Sequence, residues 1–522
     1  MRMKALVKKI QRGLGFNKRL INITILHEGA LYLIAEFLDP ASLICFSSTS
    51  RQFRGICMPI MFRHYSVIGS YCNRPCPPPT YLFPLIRIFS YHDARDMEMI
   101  DSFFRTIPDL PSVHTVRVQD VRRGIPMQYL ACCEDTPSLH SLEITETQLT
   151  HLDIPRVVTS KPALAFLSRF VYSINHWQLF LYAIHDRDRR ARGHHLSIPS
   201  QGLRELLEPM RESLRSLEIS SHHGLFSWMS SVHWPRLREL CLDGMYLDKG
   251  DLRAIRSLIS NLPNLQVLGL KLARTVDAKK PILVRQSSTT SMALSCLKRF
   301  TIAFPSPVDG IFDLLPVKLR HLSLRDWPRY YFLQDPDDED SPGELGLAMP
   351  ILAASECLAI LRRCHCPQLV SLEVVYRADS GEDALFGHIV TSFPLLTTIE
   401  LHRYREYTDE NVPMDHIAEM LAALDNISSL RLNLDLPTHQ LHPYDRLPFF
   451  LTDAVEDDMM FRAERCAEII GPGLVEVAFI LRAYGENEWV VWRVKHAEDG
   501  TRCSTPKRLS LSHKRRTWER NP

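Results

Sequence analysis

From Val113 onward one arrangement of apolar positions recurs: an apolar residue, two variable ones, a second apolar residue, one variable, and a third apolar. It reads Val113/Val116/Val118, Leu139/Leu142/Ile144, Leu214/Leu217/Ile219, Leu237/Leu240/Leu242, Leu265/Leu268/Leu270 and Leu297/Phe300/Ile302. It continues as Leu319/Leu322/Leu324, Leu369/Leu372/Val374, Leu395-Leu396/Ile399/Leu401, Ile427/Leu430/Leu432 and Leu474/Val477/Phe479. Middle residues lie 26 apart from Val116 to Leu142, 23 from Leu217 to Leu240, 28 from Leu240 to Leu268 and 22 from Phe300 to Leu322. Alternation over the last three positions predicts a short strand whose flanking residues enter one layer while the middle residue faces the other way. Wider gaps leave room for further turns around Phe170, around Leu196 with Ile198, and, carrying an insertion, from near Leu345. Between strands, helical spacing over Met97–Thr106, Leu203–Met210, Asp251–Ser260, Ala353–Arg363, His416–Leu424 and Arg462–Ile470 predicts return helices.

A period in the twenties with a Leu-x-x-Leu-x-Leu signature marks leucine-rich repeats, units that bury an apolar face only by stacking on their neighbours. The expected fold class is α/β, with an irregular leucine-rich-repeat solenoid, a curved parallel sheet with outer helices, over residues 96–495. It is irregular because few repeats carry the Asn or Cys expected beyond the last Leu, and several are long. The same alternation would also build an ordinary α/β sheet domain. In a stacked solenoid the middle strand residues line one face: Arg117, Glu143, Glu218, Cys241, Gly269, Thr301, Ser323, Glu373, Glu400 and Arg431. Of this row, Arg117, Glu143, Glu218, Thr301, Ser323, Glu373, Glu400 and Arg431 are the candidate substrate-binding residues. Four Glu beside two Arg suit a protein ligand and disfavour nucleic acid, which calls for a uniformly basic face.

A different pattern fills Leu26 to Tyr65. Leu31, Ile34, Ala35 and Leu38 place one apolar stripe on a first helix running to about Leu38. Asp39 and Pro40 then restart the chain, the carboxylate accepting from the free N–H groups of a new first turn and the proline losing no bond there. Leu43, Ile44 and Phe46 belong to this second helix, and Thr49-Ser50 ends it. Phe53, Ile56 and Cys57 define a third, which Pro59 is expected to stop. Helices this short need a partner surface, their own or another chain's.

The segment resembles an F-box in Leu26, Leu33-Ile34, Phe37-Leu38, Asp39-Pro40, Leu43 and Thr49-Ser50-Arg51-Gln52-Phe53-Arg54. His27 stands where the family has Pro and Gly29 where it has Glu, which is expected to loosen the first helix and weaken its cap. An F-box joined to leucine-rich repeats resembles the substrate receptors of Skp/cullin/F-box ubiquitin ligases. The resemblance implies a noncatalytic subunit whose Leu26, Leu33, Ile34, Leu38, Pro40, Leu43 and Phe46 dock on a Skp-type adaptor, and through it a cullin, while the repeats hold a protein substrate. The alternative is a leucine-rich-repeat scaffold with a drifted F-box and no role in ubiquitin transfer. The expected divisions are a basic lead-in (1–25), the F-box (26–66), a Pro-rich connection (67–95), the repeats with an acidic loop at 335–343, and a basic tail (496–522).

Composition adds bounds. The 522 residues are 45% hydrophobic and 23% charged, ordinary for a folded protein. Lys and Arg exceed Asp and Glu by two, so global charge selects no polyanion. No apolar run reaches the roughly 18 residues of a spanning helix. Thirteen scattered Cys fit reduced thiols, and with them a cytoplasmic or nuclear address. The acid-free start, with Lys4, Lys8, Lys9, Arg12, Lys18 and Arg19, also has the profile of a mitochondrial transit peptide, and Lys507-Arg508 with Lys514-Arg515-Arg516 that of a nuclear-import patch.

No phosphate-binding Gly-Lys loop, Gly-x-Ser-x-Gly elbow or His-Glu-x-x-His helix occurs, so no enzyme, cofactor or metal is expected. Cys364-His365-Cys366, Cys132-Cys133 and Cys72/Cys76 lack the second ligand pair that closes a zinc site, and His194-His195 and His222-His223 read as loop imidazoles. Trp489 and Trp492 read as part of a terminal capping strand.

Overall fold

The structure is a computed structural model that describes residues 26–68, 77–92, 97–121, 124–147, 149–150, 164–174, 200–221, 224–246, 250–275, 279–285, 294–327, 329, 347–348, 351–405, 412–435, 453–483, 486–494 and 507–508. The basic lead-in, Cys72/Cys76, the two His-His pairs, the turn around Leu196, the acidic loop 335–343 and all of the tail but 507–508 lie outside the described residues. Two compact units divide between Val171 and Tyr172, and each is described by itself.

The first unit begins with three helices, α1 (Glu28–Glu36), α2 (Pro40–Ser47) and α3 (Arg51–Met61), each started by a side chain that satisfies a free backbone donor. His27 Nδ1 accepts the Gly29 N–H at 3.2 Å, Asp39 Oδ1 accepts the Ser42 N–H at 3.0 Å, and Ser50 Oγ accepts the Phe53 N–H at 3.1 Å. Such a cap contributes about 1 kcal/mol. The cap expected to be weak at α1 is therefore supplied by the imidazole itself. Leu31, Ala35, Leu43, Phe46, Phe53, Ile56 and Cys57 form the core, with Phe46 stacked on Phe53 at 4.4 Å.

Pro59 does not stop α3, which runs on to Met61. Proline removes only the donor that would face the Gly55 carbonyl; Phe62 N–H still reaches Met58 O at 3.0 Å, and Ile60 and Met61 pack on the core.

Strands then start earlier than the repeat pattern suggested. Strands β1 (His64–Ile68) and β2 (Ile88–His92) pair in parallel with each other, and β2 pairs with β3 (Thr115–Gln119). The boundary expected at 66 thus falls inside a strand, and the Pro-rich connection contains a repeat. Its triplet is Ile86/Phe89/Tyr91, where aromatic side chains replace leucines; Phe89 stacks at 4.3 Å on Phe103 of α4 (Met97–Thr106). Strand β3 pairs with β4 (Ser141–Thr145), and β5 (Arg169–Ser173) is the turn expected around Phe170.

In the second unit nine parallel strands follow one another: β6 (Ser216–Ser220), β7 (Glu239–Met245), β8 (Val267–Thr275), β9 (Arg299–Ala303), β10 (His321–Arg325), β11 (Ser371–Arg377), β12 (Thr398–Tyr404), β13 (Ser429–Asn433) and β14 (Glu476–Ala483). The register joins Leu217, Leu240, Leu268, Phe300, Leu322, Leu372, Ile399, Leu430 and Val477 into one buried ladder. Burying each such side chain contributes about 1.5–3 kcal/mol before chain entropy is counted. This is a solenoid-like α/β stack of leucine-rich type, its strands alternating with helices such as α5 (Ser200–Leu207), α6 (Leu225–Ser231), α7 (Asp251–Ser260), α8 (Ala354–Leu361), α9 (Glu382–Ser392), α10 (Met414–Leu421) and α11 (Asp453–Ile470).

The turn expected from near Leu345 adds no strand to the main register, because His321 to Leu324 pair directly with Ser371 to Val374. Of the described residues there, Leu347–Ala348 pair antiparallel with Arg274 and Thr275, and Leu352–Ala353 pair in parallel with Tyr376 and Arg377. Strand β15 (Glu486–Arg493) runs antiparallel to β14 and buries Trp492 against Phe479, in the place of the expected capping strand, and Lys507–Arg508 pair antiparallel with its Trp492 and Arg493. No helix among the described residues is long and apolar enough to cross a membrane.

What replaces the missing consensus asparagines is a set of unrelated side chains that reach the backbone of a neighbouring turn. In the first unit Thr147 Oγ1 accepts the Val121 N–H at 3.0 Å. In the second, Asp309 accepts the N–H groups of Leu283, Val284 and Ile311 at 2.6, 2.9 and 3.0 Å, and Asp379 takes those of Ser355 and Gly381. A buried backbone donor must find some acceptor, and the acceptor need not be Asn.

Candidate functional site

Two surfaces carry the features that sequence pattern singled out. The first is the helical segment of the first unit. Leu43 and Phe46 are 6% and 3% exposed and belong to the core, so these two expected docking residues face inward and cannot contact a partner without opening the helices. Leu26 and Leu38 pack on that core, Ile34 is half-buried, and Pro40 is exposed.

The outward apolar residues are Leu33, Phe37 and Ile44, exposed by 58%, 88% and 55%. Leu33 and Phe37, four apart, lie on one side of α1. Phe37 was legible in the motif but not singled out; the signal was a second apolar stripe, offset from the Leu31/Ala35 one.

The second surface is the row of middle strand residues, and it exists as expected. In the first unit Arg117 pairs in register with Glu143, its Nε 2.8 Å from Oε2, and Arg169 stands 3.5 Å from the same carboxylate. In the second unit one register line runs Glu218, Cys241, Gly269, Thr301, Ser323, Glu373, Glu400, Arg431. A Cβ on Gly269 would come within 2.9 Å of Cys241 Sγ, so glycine is what lets that thiol lie flat on the next strand. Burial pushes the Cys241 thiol up to about 12.

The charges of this row are spent on one another. Arg329 is 5% exposed and hydrogen-bonds both Asp326 and Glu373. Ser323 Oγ donates to Glu373 at 2.6 Å, Arg431 lies 3.6 Å from Glu400, and His402 Nε2 lies 2.9 Å from the same carboxylate, its ring edge-on to Trp489. Burial pushes the Glu373 carboxyl up, but Arg329 and Arg325 outweigh it and hold the group well below the usual carboxylate range. Glu400 is also held below its usual value: burial and Glu373 act upward, and the His402 hydrogen bond and Arg329 prevail.

Glu373, Glu400 and His402 offer ligand atoms within 4.8 Å of one another, a cation cradle by composition alone. Guanidinium groups already occupy its approaches, so a metal ion would have to displace Arg329. Arg329, Asp326 and His402 were missed from sequence because none stands at a middle strand position.

One buried carboxyl on the same side of the strands is strained the other way. Asp243 accepts from Ser173 Oγ at 2.5 Å and from Ser220 Oγ. Burial, then Glu218, raises its carboxyl to about 6 against the hydrogen bonds that lower it. The cysteines flanking His365 are packed thiols: Cys364 Sγ donates to Ile360 O and Cys366 Sγ to Pro316 O, and burial raises both, Cys366 to about 11. Cys133 is likewise buried and raised.

No protein-family model and no curated protein matches the chain. Among solved structures it is similar to the Rad7 and Elc1 complex in yeast, at 11% identity and a TM-score of 0.37, over 88% of this chain and 97% of that one. At that identity and score the likeness assigns neither a partner nor an activity to this chain.

Proposed function

We propose that the chain is a noncatalytic substrate receptor of the Skp/cullin/F-box kind. Its helices α1 and α2 dock on a Skp-type adaptor, and the strands of its second unit hold a protein to be modified. The supporting observation is the division of labour within the helices: seven apolar residues complete a core, yet Leu33, Phe37 and Ile44 stay in water. Large apolar groups gathered on so short a segment are what an obligate partner surface needs. Ubiquitin transfer belongs, on this reading, to other subunits, and this chain contributes proximity.

The test is calorimetry of the full chain with a purified Skp-type adaptor. Leu33→Asp with Phe37→Asp is expected to abolish binding, a loss of at least about 2 kcal/mol, with the thermal transition unchanged. Leu43→Asp is expected instead to unfold the helices, because it places an unpaired charge in their core. Unaltered adaptor affinity in the first variant overturns the reading in favour of a scaffold with no adaptor.

A further inference from the structure

The edge of the second unit where the strands begin carries a charge pattern that the row does not share. Just before each strand one residue joins a continuous backbone ladder: Arg238 N–H bonds Arg215 O, Gln266 bonds Arg238, Lys298 bonds Gln266 and Arg320 bonds Lys298. The same ladder goes on through Val370, Thr397, Ser428 and Val475. Its first part is cationic and its second part carries no charge. Arg236 and Lys318, two residues earlier in their turns, add to the first part, giving Arg215, Arg236, Arg238, Lys298, Lys318 and Arg320, all exposed. None of the six is engaged with a carboxylate among the described residues.

These cations adjoin one another. Arg215, Pro235, Arg236, Arg238 and Asn264 line a cleft of about 170 Å³ at one end. Lys298 Nζ donates to Gln266 Oε1 at 3.0 Å in the middle. At the other end burial lowers the His321 imidazole to about 4, and the neighbouring Arg299 and Arg320 add to that shift.

We propose that this edge binds an extended anionic segment of a protein, its carboxylates or phosphates held by the six cations. Four strand-to-strand steps of about 4.8 Å span roughly 19 Å, the length of about six extended residues. Arginine forks match the paired oxygens of carboxylate and phosphate alike. The six positions include no aromatic residue, whereas single-stranded nucleic acid is gripped by stacking on such side chains. The proposal rests on the receptor reading in taking the segment to belong to a substrate. Its test contains no adaptor, so failure here and failure of adaptor docking are read separately.

The experiment is fluorescence anisotropy of the full chain with four labelled probes: a Glu-rich peptide, a phosphoserine peptide, the corresponding Gln peptide and an oligothymidylate. Binding of one or both anionic peptides, weakened by salt and absent for the Gln peptide, is expected. The Arg236→Ala/Arg238→Ala and Lys298→Ala/Arg320→Ala variants are each expected to lower that affinity at least about tenfold, with Arg465→Ala unchanged and all melting as the parent does. Which of the two peptides binds better assigns the anion as phosphate or carboxylate. Binding of neither peptide, binding untouched by both double variants, or tighter binding of the oligothymidylate with the same sensitivity to them would each overturn the proposal.

Discussion

The same strands of the second unit present charge in two opposite ways. Along the row, Glu373, Glu400, Arg431 and Arg329 lie close enough to pair and are largely buried, so each charge is answered from within. At the strand-start edge the cations are exposed, and none of the six is paired with a carboxylate among the described residues. A buried pair is costly to break and gives a ligand little to hold, because the ligand must first displace a partner already in place. An exposed, unanswered charge costs the fold little and is available. The row therefore serves the fold first, and the edge is the better place to look for recognition.

The largest expected effect tests the structural half of that contrast. Arg329→Ala leaves Asp326 and Glu373 without their guanidinium in a mostly dry setting and is expected to cost about 3–5 kcal/mol in denaturant unfolding. A loss below about 1 kcal/mol would mean that the row is a solvated surface after all.

A smaller effect concerns pH. The Asp243 carboxyl is raised to about 6 in the fold, so between its unfolded value near 3.8 and 6 the folded state binds more protons than the unfolded one. Its contribution to stability therefore falls as pH rises through that window and stays low above it. Glu373 and Glu400, held below their usual values, act oppositely: their contribution is present above their unfolded value near 4.5 and is lost as pH falls below it. Asp243→Asn is expected to flatten the decline between pH 4 and 6 and to gain about 1–3 kcal/mol at pH 7. A decline that survives the substitution assigns it to another group.

The smallest effect belongs to the edge. Arg320→Ala is expected to change stability by less than about 0.5 kcal/mol. It should nevertheless raise the titration point of His321, followed by its ring proton resonances, because it removes one of the positive neighbours that lower it. An unmoved His321 would show that burial and Arg299 set its value without Arg320.

Much of this was legible in the chain. Each of the eleven apolar triplets marks an observed strand, and the register of the row follows from their alternation. The repeat around Phe89 was hidden because Phe89 and Tyr91 fill two of its leucine positions and a Pro-rich stretch precedes it. The gap from Leu322 to Leu372 left room for a further turn because spacing alone does not show that β10 and β11 pair directly. The helix α9 was overlooked although Leu385, Phe386 and Ile389 are its buried residues, since Gly387 interrupts the pattern.

The docking residues divided for a similar reason. Periodicity finds apolar positions, but Leu43 and Leu33 look alike until α1, α2 and α3 are packed. The cations of the edge were readable all along as Leu-Arg-Ser-Leu, Leu-Arg-Glu-Leu, Leu-Lys-Arg-Phe and Leu-Arg-His-Leu, giving way to Leu-Val-Ser-Leu and Leu-Thr-Thr-Ile. Only the backbone ladder shows that these residues are neighbours.

The most direct test of the account is hydrogen exchange of the full chain with and without a Skp-type adaptor. Added protection confined to residues 28–47, where Leu33, Phe37 and Ile44 stand in water, is the result expected. No added protection anywhere, or protection in the strands of the second unit with none in α1 and α2, would contradict it.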